Sequence, residues 1–343
     1  MAEIQSKEIL LKVINLKKWF PMQHGLSALF VKEKNYVKAV DGISFEVFKG
    51  ETFGIIGESG CGKTTTGKLI MRLLEPTDGQ ILVNDIDVTH IKGNELKKYR
   101  RNVQMIFQDP YASMNPRFKI RKVLEEPLVI HNIGNSKKYR EETSIKLLES
   151  VKVTPASEIL ERFPHMLSGG QRQRVSIARG ITLSPNLIVA DEPVSMIDLS
   201  TRAEILSMMN SLKKEFGLTY IYITHDLSTA RYFADRIAVM YLGKIIEIGP
   251  ADEIVDNPIH PYTRVLINAV CEPLPGKVKV MKNIQIKGEI PSAANIPPGC
   301  RFHTRCLFAT EQCINEPEPE LIDNGNGHYH ACSRAAYLPK FNY

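Results

Sequence analysis

Gly57-Glu58-Ser59-Gly60-Cys61-Gly62-Lys63-Thr64 is the stretch whose reading decides the fold. It follows an apolar run, Thr52-Phe53-Gly54-Ile55-Ile56, which predicts a buried strand. Thr65 to Leu74 comes next, free of proline, with Leu69, Ile70, Leu73 and Leu74 on one helical face. Strand, glycine loop and helix together form the setting in which such a string cradles phosphate. Gly57, Gly60 and Gly62 let the backbone close around an anion with its N–H groups pointing inward. The helix start contributes partial positive charge and Lys63 a full charge, while the Thr64 hydroxyl can ligate magnesium. The alternative is a plain glycine turn between two core elements.

The length of 343 residues suits about two domains and a sizeable core. With 43% hydrophobic and 24% charged residues the chain reads as soluble and globular. A net charge of +6, spread along the sequence, suits an anionic ligand or a membrane-proximal surface but makes no nucleic-acid grip. No apolar run nears the roughly 18 residues of a membrane span. Met1 to Leu16 carries charges where a signal peptide needs apolar residues, so a cytosolic location is expected. Of six cysteines, Cys61 lies in the glycine loop and Cys271 in a predicted helix. Cys300, Cys306, Cys313 and Cys332 crowd near the end, which in a reducing compartment favours metal over disulfide.

Along the chain, strands are predicted at 9–16, 39–47, 79–83 and 103–107, with a short helix at 95–101 and a loop excursion over 21–36. Helical patterning at 120–131, 138–151, 156–162 and 169–183 predicts a helical subdomain. Strands at 187–190 and 218–223 then alternate with helices at 201–216 and 227–233. Two short strands, 236–240 and 244–248, flank Gly243, and a Pro- and Gly-rich tail runs from Pro273. This order predicts a mainly parallel α/β sheet.

Leu187-Ile188-Val189-Ala190-Asp191-Glu192-Pro193 reads as a buried strand ending in two carboxylates, at the edge where α/β sheets bind ligands. Asp191 suits magnesium held through a retained water, and Glu192 suits the polarisation of an attacking water. Leu167-Ser168-Gly169-Gly170-Gln171 precedes a helix, with Ser168 as N-cap and two glycines that admit an anion.

The order of these segments with Gln108, Asp198 and Thr224-His225-Asp226 resembles the ATP-binding subunit of ABC transporters, over about residues 8–250. The resemblance implies a P-loop NTPase (RecA-like) core with an ABC-type antiparallel β region, a helical subdomain over about 111–183, and a separate extension over 251–343. It implies a head-to-tail pair of subunits around two ATP molecules. Lys63 and the loop from Gly57 through Ser59, Gly60, Cys61 and Gly62 to Thr64 and Thr65 would hold the phosphates. Thr64, Gln108 and Asp191 would serve magnesium, Glu192 would be the catalytic carboxylate and His225 the γ-phosphate sensor. Ser168, Gly169, Gly170 and Gln171 would close on the partner's nucleotide, and Asp198 would join the two sites. Phe20 matches the adenine-stacking position, with Trp19 as runner-up. Met196-Ile197 departs from the small-plus-Leu pair usual before that aspartate.

Asn257-Pro258-Ile259-His260-Pro261-Tyr262-Thr263, the cysteine spacing and Gln108 to Pro116 resemble the oligopeptide/dipeptide transporter ATPases, a group that includes nickel importers. The excursion before Ala39 looks like that group's F-type subunit. His260 to Thr263 is expected to cap or dock a helix. In several members of the group four such cysteines bind a 4Fe–4S cluster, with zinc as the alternative here. His303, His328 and His330 are further candidate ligands, but lone tail histidines are more often solvated, and that is the expectation here. The implied assembly adds a second, D-type ATPase chain, two transmembrane permease subunits and an extracytoplasmic binding protein, with this chain peripheral on the cytoplasmic face. A soluble ABC ATPase acting on ribosomes or DNA is the rival reading.

Overall fold

The structure, a computed structural model, describes residues 8–22, 36–269, 288–289 and 291–341. Most of the excursion over 21–36 and the helix expected around Cys271 lie outside the described residues. In chain order the elements begin β1 (Ile9–Pro21), β2 (Tyr36–Phe48), β3 (Thr52–Ile56), α1 (Lys63–Ile70), β4 (Asp78–Val83) and β5 (Ile86–Asp87). Then come α2 (Gly93–Asn102), β6 (Val103–Ile106), α3 (Ile120–Ile130), α4 (Lys137–Ser150), α5 (Ala156–Leu160) and α6 (Gly169–Ile181). β7 (Leu187–Asp191), α7 (Leu199–Phe216), β8 (Thr219–Thr224), α8 (Leu227–Phe233), β9 (Arg236–Tyr241) and β10 (Lys244–Pro250) follow. The chain closes with α9 (Ala251–Asp256), α10 (Pro261–Ala269), α11 (Glu311–Asn315), β11 (Ile322–Asp323) and β12 (Tyr329–His330).

These elements fall into two compact units. One contains Phe48–Thr52 and Ile91–Ile223. Its strands β6, β7 and β8 are parallel, with Met105 opposite Val189 and Val189 opposite Ile221. β7 and β8 are buried at every position, the run of apolar residues that a strand covered on both faces requires. Helices α3 to α6 pack on one another around Val123, Leu124, Leu148, Ile159 and Val175, all nearly inaccessible. Each such side chain contributes about 1.5–3 kcal/mol by leaving water. Gly180 on α6 lets the helix approach β6: a Cβ there would stand 3.2 Å from Ile106 Cγ1.

The second unit contains Ile9–Val47, Phe53–His90 and Thr224–Tyr343. An antiparallel sheet runs β2-β1-β4-β5. β3 and β9 pair in parallel, β9 turns back into β10, and β12 and then β11 extend that edge antiparallel. The helix predicted over 65–74 stops at Ile70, because Arg72 takes a left-handed φ of 54° and Leu73 turns out to solvent. β5, β11 and β12, two residues each, are too short to show a period in sequence.

Candidate ATP site

The phosphate loop is shaped by contacts that exclude any side chain. Gly57 has φ 151° and Gly62 φ 110°. A Cβ on Gly57 would lie 2.3 Å from Met240 O, and one on Gly62 would lie 2.2 Å from Ala39 O. Lys63 is buried, and its Nζ donates to Gly57 O at 2.7 Å and Glu58 O at 2.9 Å. The ammonium is thereby aimed back across the loop rather than into solvent. Ser59 and Gly60 are exposed, and Thr64 and Thr65 are half-buried. Helix α1 starts on Gly62 with no side-chain cap and no acidic residue in its first turn, so nothing on the helix itself competes with an anion. Burial pushes the Cys61 thiol up, against the pull of Lys63, which makes it a packing group and not a thiolate.

In the same unit, Asp226 caps α8 by accepting from Ser228 N at 2.9 Å and Thr229 N at 3.3 Å. This leaves His225, one residue earlier, exposed at the end of β8. Phe20 lies under Lys18 Nζ, 5.2 Å from its ring centroid. Trp19 is tied down by Nε1 donating to Asp41 Oδ1 at 2.8 Å, with Lys38 Nζ 4.7 Å from its ring centroid.

The first unit holds the other half of the predicted set. β7 ends with Asp191 buried and Glu192 half-buried. Glu192 takes a left-handed φ of 47°, its N–H donating to Ile223 O at 2.8 Å. A non-glycine residue there stores backbone strain, and such strain concentrates at working sites. The Glu192 carboxylate accepts from Gln108 Nε2 at 2.9 Å, so Gln108 contacts the predicted catalytic carboxylate. Ser168 and Gln171 form a reciprocal capping box on α6, each side chain meeting the other's backbone N–H. A Cβ on Gly169 would meet nothing within 4 Å, so the helix start is open, whereas one on Gly170 would lie 3.2 Å from Thr201 Cγ2. Behind them Arg172 stacks on Tyr111 with 3.9 Å to the ring centroid. Met196, Asp198 and Leu199 are exposed.

The C-terminal cysteines and histidines depart from expectation. Cys300, Cys306, Cys313 and Cys332 do line one cavity, of about 20 Å³. Burial pushes Cys300, Cys306 and Cys332 up to about 11, the range of neutral thiols. Among the described residues no group of three or more His, Cys, Asp or Glu is placed to hold a metal. The four cysteines thus share one cavity without the close donor set that the 4Fe–4S cluster or zinc expected from the spacing would use. His328 and His330, expected in solvent, are buried. His328 Nε2 meets Glu247 Oε1 at 2.8 Å, and His330 Nδ1 accepts from Cys332 N at 3.3 Å. His303 bonds Cys300 O at 2.8 Å. These rings are fold contacts: β12 pairs with β10 and brings them inward.

His260 has the docking role its motif suggested. It is buried, and its Nδ1 accepts from Tyr262 N at 3.1 Å. Its neighbour reaches further than the sequence indicated. The Tyr262 hydroxyl accepts from Glu58 N in the phosphate loop at 2.9 Å, and Arg305 grips the Glu58 carboxylate. Nothing in the sequence signalled this contact.

Two family profiles match the chain: ABC transporter over residues 40–195, and oligopeptide/dipeptide transporter C-terminal region over residues 246–313. It is 46% identical over 330 residues to the oligopeptide transport ATP-binding protein AppF of Bacillus subtilis, covering 95% of this chain and 98% of that one. It is 42% identical over 330 residues to the dipeptide transport ATP-binding protein DppF of Escherichia coli, covering 96% of each. Among solved structures, a dimeric post-hydrolysis state of the ATP-binding cassette MJ0796 with ADP and Pi superposes with a TM-score of 0.62 at 28% identity. It covers 71% of this chain and 99% of that one. Cassette sequence, C-terminal region and full-length relatives agree: the chain belongs to the ABC transporter ATP-binding family, in its oligopeptide/dipeptide transporter branch, and is an ATPase.

Proposed function

We propose that this chain is one of two ATPase subunits that drive import of di- or oligopeptides, with residues 1–250 as the cassette and 251–343 as the extension. The observation that carries the catalytic reading is Glu192, held at φ 47° at the end of a buried strand with its carboxylate on Gln108. Orienting a water for attack on a γ-phosphate is the work such a carboxylate does. The loop amides of Gly57 to Thr65, with Lys63, take the phosphates; Lys63 exchanges carbonyl partners for phosphate oxygens. The Thr64 hydroxyl, the Gln108 amide oxygen and the Asp191 carboxylate are hard oxygen donors and fit magnesium. When bound, that ion neutralises phosphate charge. His225 contacts the γ-phosphate from the end of β8, and Phe20 stacks on adenine. Ser168, Gly169, Gly170 and Gln171 offer an open helix start to the nucleotide of a second ATPase subunit, with Asp198 between the two sites.

Among the described residues no helix is long and apolar enough to cross a membrane. In this reading, which rests on the family, transport goes through two separate permease subunits, with this chain peripheral on the cytoplasmic face and a binding protein delivering cargo. Val129 and Ile130 at the end of α3, and Tyr111 separately, are more than half exposed and leave apolar side chains open to such a partner. The peptide assignment rests on the names of the relatives and on the matched C-terminal region. Reconstitution with the permeases and binding protein tests it: peptides should stimulate ATP hydrolysis and accumulate in vesicles. Stimulation by nickel in place of peptides, or by neither, would overturn it.

A further inference from the structure

Glu58 is the one acidic residue in the phosphate loop, and each of its polar groups is held. Its N–H donates to the Tyr262 hydroxyl at 2.9 Å, and its carbonyl accepts from Lys63 Nζ at 2.9 Å. Its carboxylate is gripped at both oxygens by Arg305, Nη1 to Oε2 at 2.7 Å and Nη2 to Oε1 at 3.1 Å. The partners come from far away in the chain: Tyr262 is 204 positions on and Arg305 247. Both lie in the C-terminal extension, and Arg305 sits between Cys300 and Cys306.

The surroundings keep that grip in place. Tyr241, Tyr262 and Phe302 form an aromatic cluster, with ring centroids 4.7 Å apart for the two tyrosines and 5.4 Å from each to Phe302. The Arg305 guanidinium lies 5.9 Å from the Tyr241 and Phe302 centroids. Arg301, four residues earlier, reaches Asp41 Oδ2 at 2.6 Å and Glu318 Oε1 at 2.5 Å. The arginine is itself buried, so its charge is poorly screened by solvent and is directed at one carboxylate.

We propose that Arg305 and Tyr262 are positioning residues for ATP binding: Arg305 cancels the Glu58 charge beside the incoming phosphates, and Tyr262 fixes the Glu58 amide. The proposal rests on the reading of the Lys63 loop as the phosphate site. A bare carboxylate on that loop would repel a polyanion, and the bidentate arginine removes the repulsion while fixing the loop's first turn. The C-terminal extension, more than 200 positions on from the loop, thereby becomes part of the nucleotide-binding machinery.

The test uses the full chain in its assembled transporter, with MgATP as the probe and KM and kcat measured separately. Arg305→Ala should raise KM for ATP about tenfold, the scale of one charge-assisted interaction. It should leave kcat within about twofold, because the lost interaction is made before and during the reaction alike. Adding Glu58→Gln to Arg305→Ala should bring KM back to within about threefold of the parent chain, since the uncompensated charge is gone. Arg305→Lys should lie between Ala and the parent. A purely structural clasp gives the opposite pattern, with the double variant as impaired as Arg305→Ala; that result, or an unchanged KM in Arg305→Ala, overturns the proposal. Where Arg305→Ala fails to fold, Glu58→Gln with Arg305→Gln replaces the ion pair by neutral partners and decides by the same KM criterion. Lys63→Ala is the separate control: normal ATP binding there would refute the phosphate-site reading itself, whatever Arg305 does.

Discussion

Replacing Glu247 with alanine should unfasten the C-terminal extension from the sheet. The carboxylate has no solvent access, and it accepts from Ile259 N at 2.7 Å, His260 N at 3.0 Å and His328 Nε2 at 2.8 Å. Alanine leaves three buried donors without an acceptor, each costing about 1–3 kcal/mol before relaxation. Entry of water into the vacated space offsets part of this, which places the net loss at about 3–5 kcal/mol, the range for breaking a buried charged cluster. Glu247→Gln keeps one acceptor oxygen and turns a donor toward the others, so about half the loss is expected. Denaturant unfolding gives the size of the effect, and hydrogen exchange at the Ile259 and His260 amides gives its place. An alanine variant within about 1 kcal/mol of the parent, with those amides still protected, would refute the reasoning.

Two further outcomes follow from the same geometry. Burial lowers the His260 pKa to about 4 from an unfolded value of 6.5, so between these values the unfolded chain binds the extra proton. Stability is then complete above pH 6.5 and falls by up to about 3 kcal/mol as pH drops through 4; His260→Gln should flatten that segment of the pH–stability curve, and an unchanged slope would contradict the assignment. Gly62→Ala forces a Cβ to within 2.2 Å of Ala39 O at a left-handed φ, so ATP binding measured by calorimetry should disappear while far-UV circular dichroism stays close to the parent, and retained binding would contradict the proposed loop role.

The cassette was legible because its signals are local. A glycine string between an apolar strand and a helix, and two carboxylates at the end of a second apolar strand, carry their meaning within a few residues. The turn at Gly243 was visible for the same reason, and β9 and β10 pair across it as expected. Where long-range pairing decides the outcome, the sequence misled. β12 is two residues long, yet its pairing with Glu247 and Ile248 buries His328 and His330, which by composition belonged in water. Four cysteines in one tail suggested a ligand set, and they do share a cavity. Burial raises three of the thiols, and among the described residues no group of three or more donors is placed to hold a metal. The clasp on Glu58 was invisible for a simpler reason: nothing in a loop of eight residues says which of many arginines will fold back onto it.

The hydrolysis of ATP by the assembled complex carrying Glu192→Gln tests the account most directly. ATP should still bind and hold the two ATPase subunits together, while turnover falls by at least about a hundredfold, the scale of a general base removed. Turnover at the parent rate would show that the strained carboxylate at the end of β7 does not orient the attacking water, and the proposed mechanism would be wrong.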